Sequence, residues 1–199
     1  MALSRRTGVI GALVVCLLLP VAPGRTAEPL SIAGVLRGQA PSAVAGREAA
    51  TQYSAAELAQ QILDLRAAGR IGIYDYSARK EADRADRSLA SQQLVDIAAG
   101  RRANLSRRCH DGRLVRIRPD IRILRFLADL GMSHGAYTIN VLFGQCHSRG
   151  SLHYRGQAVD LRCGLVTTDA DASAIMFGIK RNLETCRQHA HWHYSVGGR

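Results

Sequence analysis

The sequence predicts an α+β domain in which a few helices pack on a small, mostly antiparallel sheet. Segments with apolar residues three and four apart alternate with short segments in which every second residue is apolar, the two periodicities of helix and strand. Neither a fixed-period repeat nor a low-complexity tract interrupts them, which leaves a layered arrangement of both element types. Hydrophobic side chains make up 47% of the 199 residues and charged ones 22%, enough apolar material for one domain with a real core.

The first 24 residues read as an export signal outside that domain. Arg5 and Arg6 precede an uncharged run from Thr7 to Gly24, whose apolar centre, Val9 to Val21, is shorter than the roughly 20 residues a membrane-spanning helix needs. No permanent membrane span is therefore expected. Residues 25–50, with Pro29, Pro41 and many small side chains, read as a linker or arm, and residues 51–199 as a single domain.

Within the domain, Ser54-Ala-Ala-Glu57 is a capping-box pattern ahead of Leu58, Ile62 and Leu65, one stripe of a helix that Gly69 can end. Ile71 and Ile73 alternate as a short strand does. Residues 81–99 read as one helix, with Leu89, Leu94, Val95 and Ile97 apolar and Gly100 as its stop. Residues 101–108 read as a basic loop and residues 114–118 as a strand. Pro119 sits just ahead of a helix in which Ile121, Leu124, Leu127 and Leu130 share a face before Gly131. Residues 137–143 are rich in branched and aromatic side chains and read as a buried strand. Thr168 is placed to cap a last helix that packs Ile175, Met176, Ile179 and Leu183 into the core.

Cys16 lies within the export signal. The other four, Cys109, Cys146, Cys163 and Cys186, are an even number in an exported chain and read as two disulfides, with three pairings open. The formal net charge is +11, carried almost wholly by arginine, since Lys80 and Lys180 are the only lysines. Outside the cell, such charge suits an anionic cell envelope or an acidic substrate. Nucleic acid is not an expected partner, because aromatic side chains are only 5% of the chain and no reader motif is present.

Six of the seven histidines follow residue 133: His134, His147, His153, His189, His191 and His193. On a strand, His189, His191 and His193 would point to one face and Trp192 to the other, packing behind the histidines. A catalytic zinc ion takes three protein ligands from histidine and carboxylate and keeps one position for water, and His153, Asp160 and His193 supply such a set. Gly156 and Ala158 let the chain turn between the first two, and Ser151 can hydrogen-bond within that turn.

The pattern Ser151-x-His153-x6-Asp160, with Gly156 and Ala158 inside it and a His-x-His pair at His191 and His193, resembles the zinc D-alanyl-D-alanine carboxypeptidases and murein endopeptidases, whose fold also occurs in the hedgehog signalling domain. The resemblance covers residues 136–195. It implies His153, Asp160 and His193 as ligands to Zn2+ on a small antiparallel sheet. It also implies hydrolysis of the peptide bonds of bacterial cell-wall peptidoglycan, with metal-bound water as nucleophile and peptidoglycan peptide as partner. Many members carry a glutamate just before the last ligand, where this chain has Ala190, and Glu184 is the only carboxylate after Asp171. His191 is therefore the first choice for the general base, with His189 and Glu184 in reserve. The substrate-binding arginine of many relatives has no aligned counterpart, and Arg149 is the nearest of its type. The alternative to an exported hydrolase is an exported binding module that keeps the zinc without turnover.

Overall fold

The structure is a computed structural model that describes residues 53–164, 167–182, 186 and 191–197. The expected export signal and arm, together with Leu183, Glu184 and His189, lie outside the described residues. In chain order the elements are α1 (Ala55–Ala67), β1 (Ile71–Ile73), α2 (Lys80–Ala85), α3 (Ala90–Ala98), β2 (Ala103–Asn104), β3 (Arg116–Ile117), α4 (Ile121–Ser133), β4 (Tyr137–Val141), β5 (Ala158–Arg162), α5 (Thr167–Met176), β6 (Ile179–Asn182) and β7 (His191–Val196). Short 3-10 turns occupy Arg107–Cys109 and Leu152–Arg155.

The architecture is α+β. Among the described residues a five-stranded sheet runs in the order β1-β4-β5-β7-β6, and β2 and β3 form a separate antiparallel pair. In the larger sheet β4–β5, β5–β7 and β6–β7 are antiparallel, and only the edge pair β1–β4 is parallel. Side chains alternate across a strand, so each face of the sheet has its own composition. Val159 and Leu161 of β5 and Tyr194 of β7 are fully buried on the face covered by α4, where the Phe126 and Tyr194 rings lie 5.0 Å apart. On the opposite face stand Ala158, Asp160 and Arg162 of β5, each directly across from Ser195, His193 and His191 of β7.

The capping box forms at α1 as its sequence requires: Ser54 Oγ accepts the Glu57 N–H, and the Ser54 N–H donates to the Glu57 carboxylate at 2.7 Å. Leu58 and Ile62 then seat α1 against α3 and α4. The single helix expected over residues 81–99 is instead two, because a C-terminal cap intervenes. Ser88 N–H bonds to Asp83 C=O and Arg87 N–H to Arg84 C=O, with Arg87 at φ 57°, the bonding of a Schellman motif without its usual glycine. The Arg87 and Arg101 guanidinium groups both reach the buried Asp96 carboxylate at 2.6 Å, which holds that turn and the end of α3 together.

Other expectations need correction. Residues 101–108 are not merely a loop, since Ala103 and Leu105 are fully buried and β2 pairs with the short β3. Gly131 does not stop α4, which continues to Ser133. A Cβ at Gly131 would lie 2.8 Å from Ile71 Cδ1 and 3.0 Å from Leu65 Cδ1, so the glycine permits close packing on β1 and α1. In α5 the buried residues are Ala170, Ser173 and Ala174, while Ile175 and Met176 are 73% and 65% exposed. Ile179 is buried, but as the first residue of β6, because Gly178 at φ 68° ends the helix before it.

Gln93 of α3 is fully buried and uses both ends of its amide. It donates to Asn104 C=O at 2.6 Å and accepts the Phe143 N–H at 3.1 Å, tying β2 to the segment that follows β4. Gly144 comes next, and a Cβ there would fall 1.8 Å from the Ser88 carbonyl oxygen. Backbone cannot yield as a side-chain tip can, so Gly144→Ala is expected to cost about 2–3 kcal/mol of stability in urea unfolding, the upper range for overpacking. An unchanged midpoint would show that this close approach is not rigid.

Candidate metal centre

His153 sits in the 3-10 turn Leu152–Arg155. Ser151 Oγ accepts the His153 backbone N–H at 3.3 Å, and Gly156 closes the turn in the left-handed region at φ 71°. Glycine is needed at 156 for a second reason: a Cβ would lie 2.6 Å from Arg118 O and 2.8 Å from Pro119 Cα, where the turn is pressed against the start of α4. The Gly156 carbonyl accepts the Asp120 N–H at 2.9 Å across the same contact. Gln157 then bonds through its carbonyl to Val196 N–H, and β5 begins at Ala158, bringing Asp160 under the turn.

The His153 Nδ1 lies 2.7 Å from the Leu142 carbonyl oxygen. A carbonyl can only accept, so Nδ1 carries the proton, and in a neutral ring Nε2 is left with its lone pair. Nε2 is 3.2 Å from Asp160 Oδ1 and 3.2 Å from His193 Nδ1, and His193 Nδ1 is 2.9 Å from Asp160 Oδ1. The structure thus brings His153, Asp160 and His193 together as a triangle of donor atoms. A tetrahedral ion bound at 2.0–2.1 Å holds its ligands about 3.3–3.4 Å apart, within a few tenths of an ångström of these edges.

The side chains of His153 and Asp160 are 1% and 2% exposed, whereas those of His193 and His191 are each 22% exposed. Two corners of the triangle are sealed and one opens outward. The Asp160 carboxyl is pushed up by burial, but the charge and hydrogen bonds of His153, with the hydrogen bond of His193 and the charge of His191, outweigh that and hold it below the usual carboxylate range. His191 reaches the other carboxylate oxygen, its Nε2 being 3.5 Å from Asp160 Oδ2. Trp192 packs against the core with the Arg181 guanidinium over its ring at 4.6 Å.

His147 was visible in the sequence only as one of the clustered histidines, without a role. In the fold its ring stacks on His153 at 4.0 Å with 4° between the planes, and burial with repulsion from the neighbouring His153 lowers its pKa to about 4. His147, His153 and Asp160 offer donor atoms all within 4.8 Å of one another and form a group that can hold a metal ion. An imidazole binds in its own plane, and two stacked parallel planes share no point, so His147 must leave the stack to bind the same ion as His153. Its backbone N–H and C=O are both bonded to the Tyr154 hydroxyl, at 2.7 and 3.0 Å. The residue before it, Cys146, is bridged to Cys109; the second disulfide joins Cys163 and Cys186.

A cavity of about 740 Å³ adjoins the open corner, lined by His193 with Arg155, Lys180, Arg181 and Asn182. Arg149 is not part of that lining. It borders a smaller cavity of about 380 Å³ on the other flank, with His147, His110 and Arg113. The arginines that share the larger cavity with His193 are Arg155, two residues beyond His153, and Arg181 of β6. Comparison with known proteins finds no matching family model, no matching curated protein and no matching solved structure.

If these three donors hold a divalent cation, adding one to metal-stripped protein at 100 times its Kd should stabilise the fold by about 2.7 kcal/mol, read as a rise in Tm. Asp160→Asn should abolish that rise. His147→Ala should weaken binding by no more than the roughly 10–100-fold typical of groups that support a ligand.

Proposed function

We propose that this chain is an exported zinc metallopeptidase that hydrolyses peptide bonds of bacterial cell-wall peptidoglycan, of the carboxypeptidase or endopeptidase type. The observation that carries the reading is the triangle of His153 Nε2, Asp160 Oδ1 and His193 Nδ1 beside a cavity. With Nδ1 bonded to Leu142 O, His153 presents Nε2 to Asp160 Oδ1 and His193 Nδ1, and the three atoms are close enough to share one bound cation. Two imidazoles and one carboxylate with a fourth side open suit zinc in a catalytic rather than a structural role. Export is supported by the two disulfides, and among the described residues no helix is long and apolar enough to cross a membrane.

His153, Asp160 and His193 would hold the ion. Bound there, zinc supplies a Lewis acid for a peptide carbonyl and lowers the pKa of water toward neutrality. Asp160 contributes the negative charge of the ligand set and is kept ionised by the surrounding imidazoles. His191 stands on the same face of the sheet as Asp160 and is partly exposed beside the open corner, where its ring is placed to act as the general base. Arg155 and Lys180 line the adjoining cavity and can hold a substrate carboxylate, a role for which the guanidinium fork is well shaped. The basic surface of the chain suits an anionic envelope.

One observation favours the second reading, a zinc-containing binding module without turnover. His191 Nε2 is turned toward Asp160 Oδ2, and a ring engaged there orients the ligand instead of moving protons. Incubation of the zinc-loaded protein with purified peptidoglycan fragments decides between the two. Released peptide or D-alanine is expected, with kcat falling about 10²–10⁴-fold in His191→Ala while its zinc content stays at one per chain. Intact fragments under a fully loaded wild type would establish the binding module.

A further inference from the structure

Tyr74 and Tyr76 are 49% and 50% exposed, with rings 6.3 Å apart and nearly parallel at 17°. Large aromatic side chains on a surface are ordinarily mobile or folded against a neighbour, but this pair is held in place from behind. Tyr74 N–H bonds to Ile139 C=O at 2.9 Å and Tyr76 N–H to Asn140 C=O at 3.2 Å, so the segment continues along β4 past the end of β1. Between them Asp75 adopts φ 51° and receives both the backbone N–H and the hydroxyl of Ser91 in α3, at 2.8 and 2.7 Å. Gln145 donates to the Tyr76 carbonyl from the loop that carries His147. The Arg162 guanidinium lies over the Tyr74 ring at 4.6 Å. A left-handed aspartate tied to a helix and two tyrosines turned outward make a rigid shelf, and a rigid aromatic surface loses little conformational entropy when a ligand covers it.

The shelf belongs to the face that carries the metal centre. Arg162 is two residues beyond Asp160 on β5, about 7 Å along the strand on the same side of the sheet, and stands directly across from His191. Its surroundings are polar: the Arg162 guanidinium lies against the Tyr74 ring, and each tyrosine ends in a hydroxyl. Such a surface does not suit an aliphatic partner helix, which would cover the two hydroxyls and the Arg162 guanidinium without offering them hydrogen bonds. It suits a molecule with a flat C–H face and a rim of hydroxyl and amide groups.

We propose that Tyr74 and Tyr76, with Arg162, form a binding subsite for the pyranose rings of an N-acetylated amino-sugar chain. The choice of this occupant rests on the peptidoglycan reading above, since the scissile peptide there hangs from such a chain. The sugar lies on the tyrosine rings, Arg162 donates to its oxygen atoms, and the attached peptide runs past Arg162 to the metal centre.

The test uses the metal-free full chain and a β-1,4-linked N-acetylglucosamine tetramer, followed through the ring resonances of the tyrosines. Saturable shifts at Tyr74 and Tyr76 are expected. Tyr74→Ala and Tyr76→Ala should each weaken binding about tenfold or more, and Arg162→Gln by a smaller factor, with Tm unchanged within error. In the zinc-loaded protein, Tyr76→Ala should raise KM for glycan-linked peptide and leave both kcat and the hydrolysis of free peptide as in wild type. Absence of shifts at both rings, or equal affinity in wild type and both alanine variants, overturns the subsite whether or not hydrolysis is seen. Oligosaccharide binding without hydrolysis of any peptide leaves the subsite standing and removes the peptidase reading.

Discussion

The hydrogen bond from His153 Nδ1 to the Leu142 carbonyl is the contact on which the candidate metal centre depends. It commits Nδ1 as a donor, fixes the plane of the ring and points Nε2 at Asp160 and His193. Leu142 in turn is held from behind by the Gln93 amide on the next residue, and Gly144 is pressed against the Ser88 carbonyl just beyond. The chemistry of one imidazole is therefore set by how α3 packs against the end of β4.

A cluster of this kind is costly without a counter-charge. Three electron-rich atoms about 3 Å apart, with two of the residues nearly sealed from water, repel one another unless a proton or a cation lies between them. The rest of the fold keeps them from relaxing apart. The Ser151 cap and Gly156 hold the turn under His153, the five-residue β5–β7 ladder keeps Asp160 opposite His193, and the Cys109–Cys146 bridge braces the loop that stacks His147 on His153. Preorganisation of this sort lets a metal bind without further ordering of the chain. The open corner at His193 and the basic cavity beside it then give one direction of approach.

Much of the fold was legible because local rules were sufficient. The Ser54–Glu57 capping box, the Leu124 and Leu127 stripe of α4 and the β-branched residues of β4 form what their periodicity dictates, since each is stabilised by its own side chains and one buried face. The misreadings share a cause. Leu89 to Ile97 look continuous with the residues before them, but Asp83, Arg84 and Arg87 make a helix cap whose signal glycine is absent. Gly131 looks like a stop and is a packing contact, and Ile175 and Met176 look like core and face outward, because period alone does not say what stands opposite.

For the site, the sequence by itself determined which residue types were available and that His153 and Asp160 flank a tight turn. It also determined that His191 and His193 share one face of a strand, because those relations span only a few residues. Tertiary structure decided that β7 lies next to β5 in the register that sets His193 across from Asp160, a strand order no local pattern encodes. It also decided that Leu142 supplies the carbonyl, that His147 stacks on His153, and that Arg155 rather than Arg149 shares the cavity at His193. Those are contacts between segments far apart along the chain or between a side chain and a bare backbone atom. They arise only when helices, sheet and disulfide bring such groups into one volume.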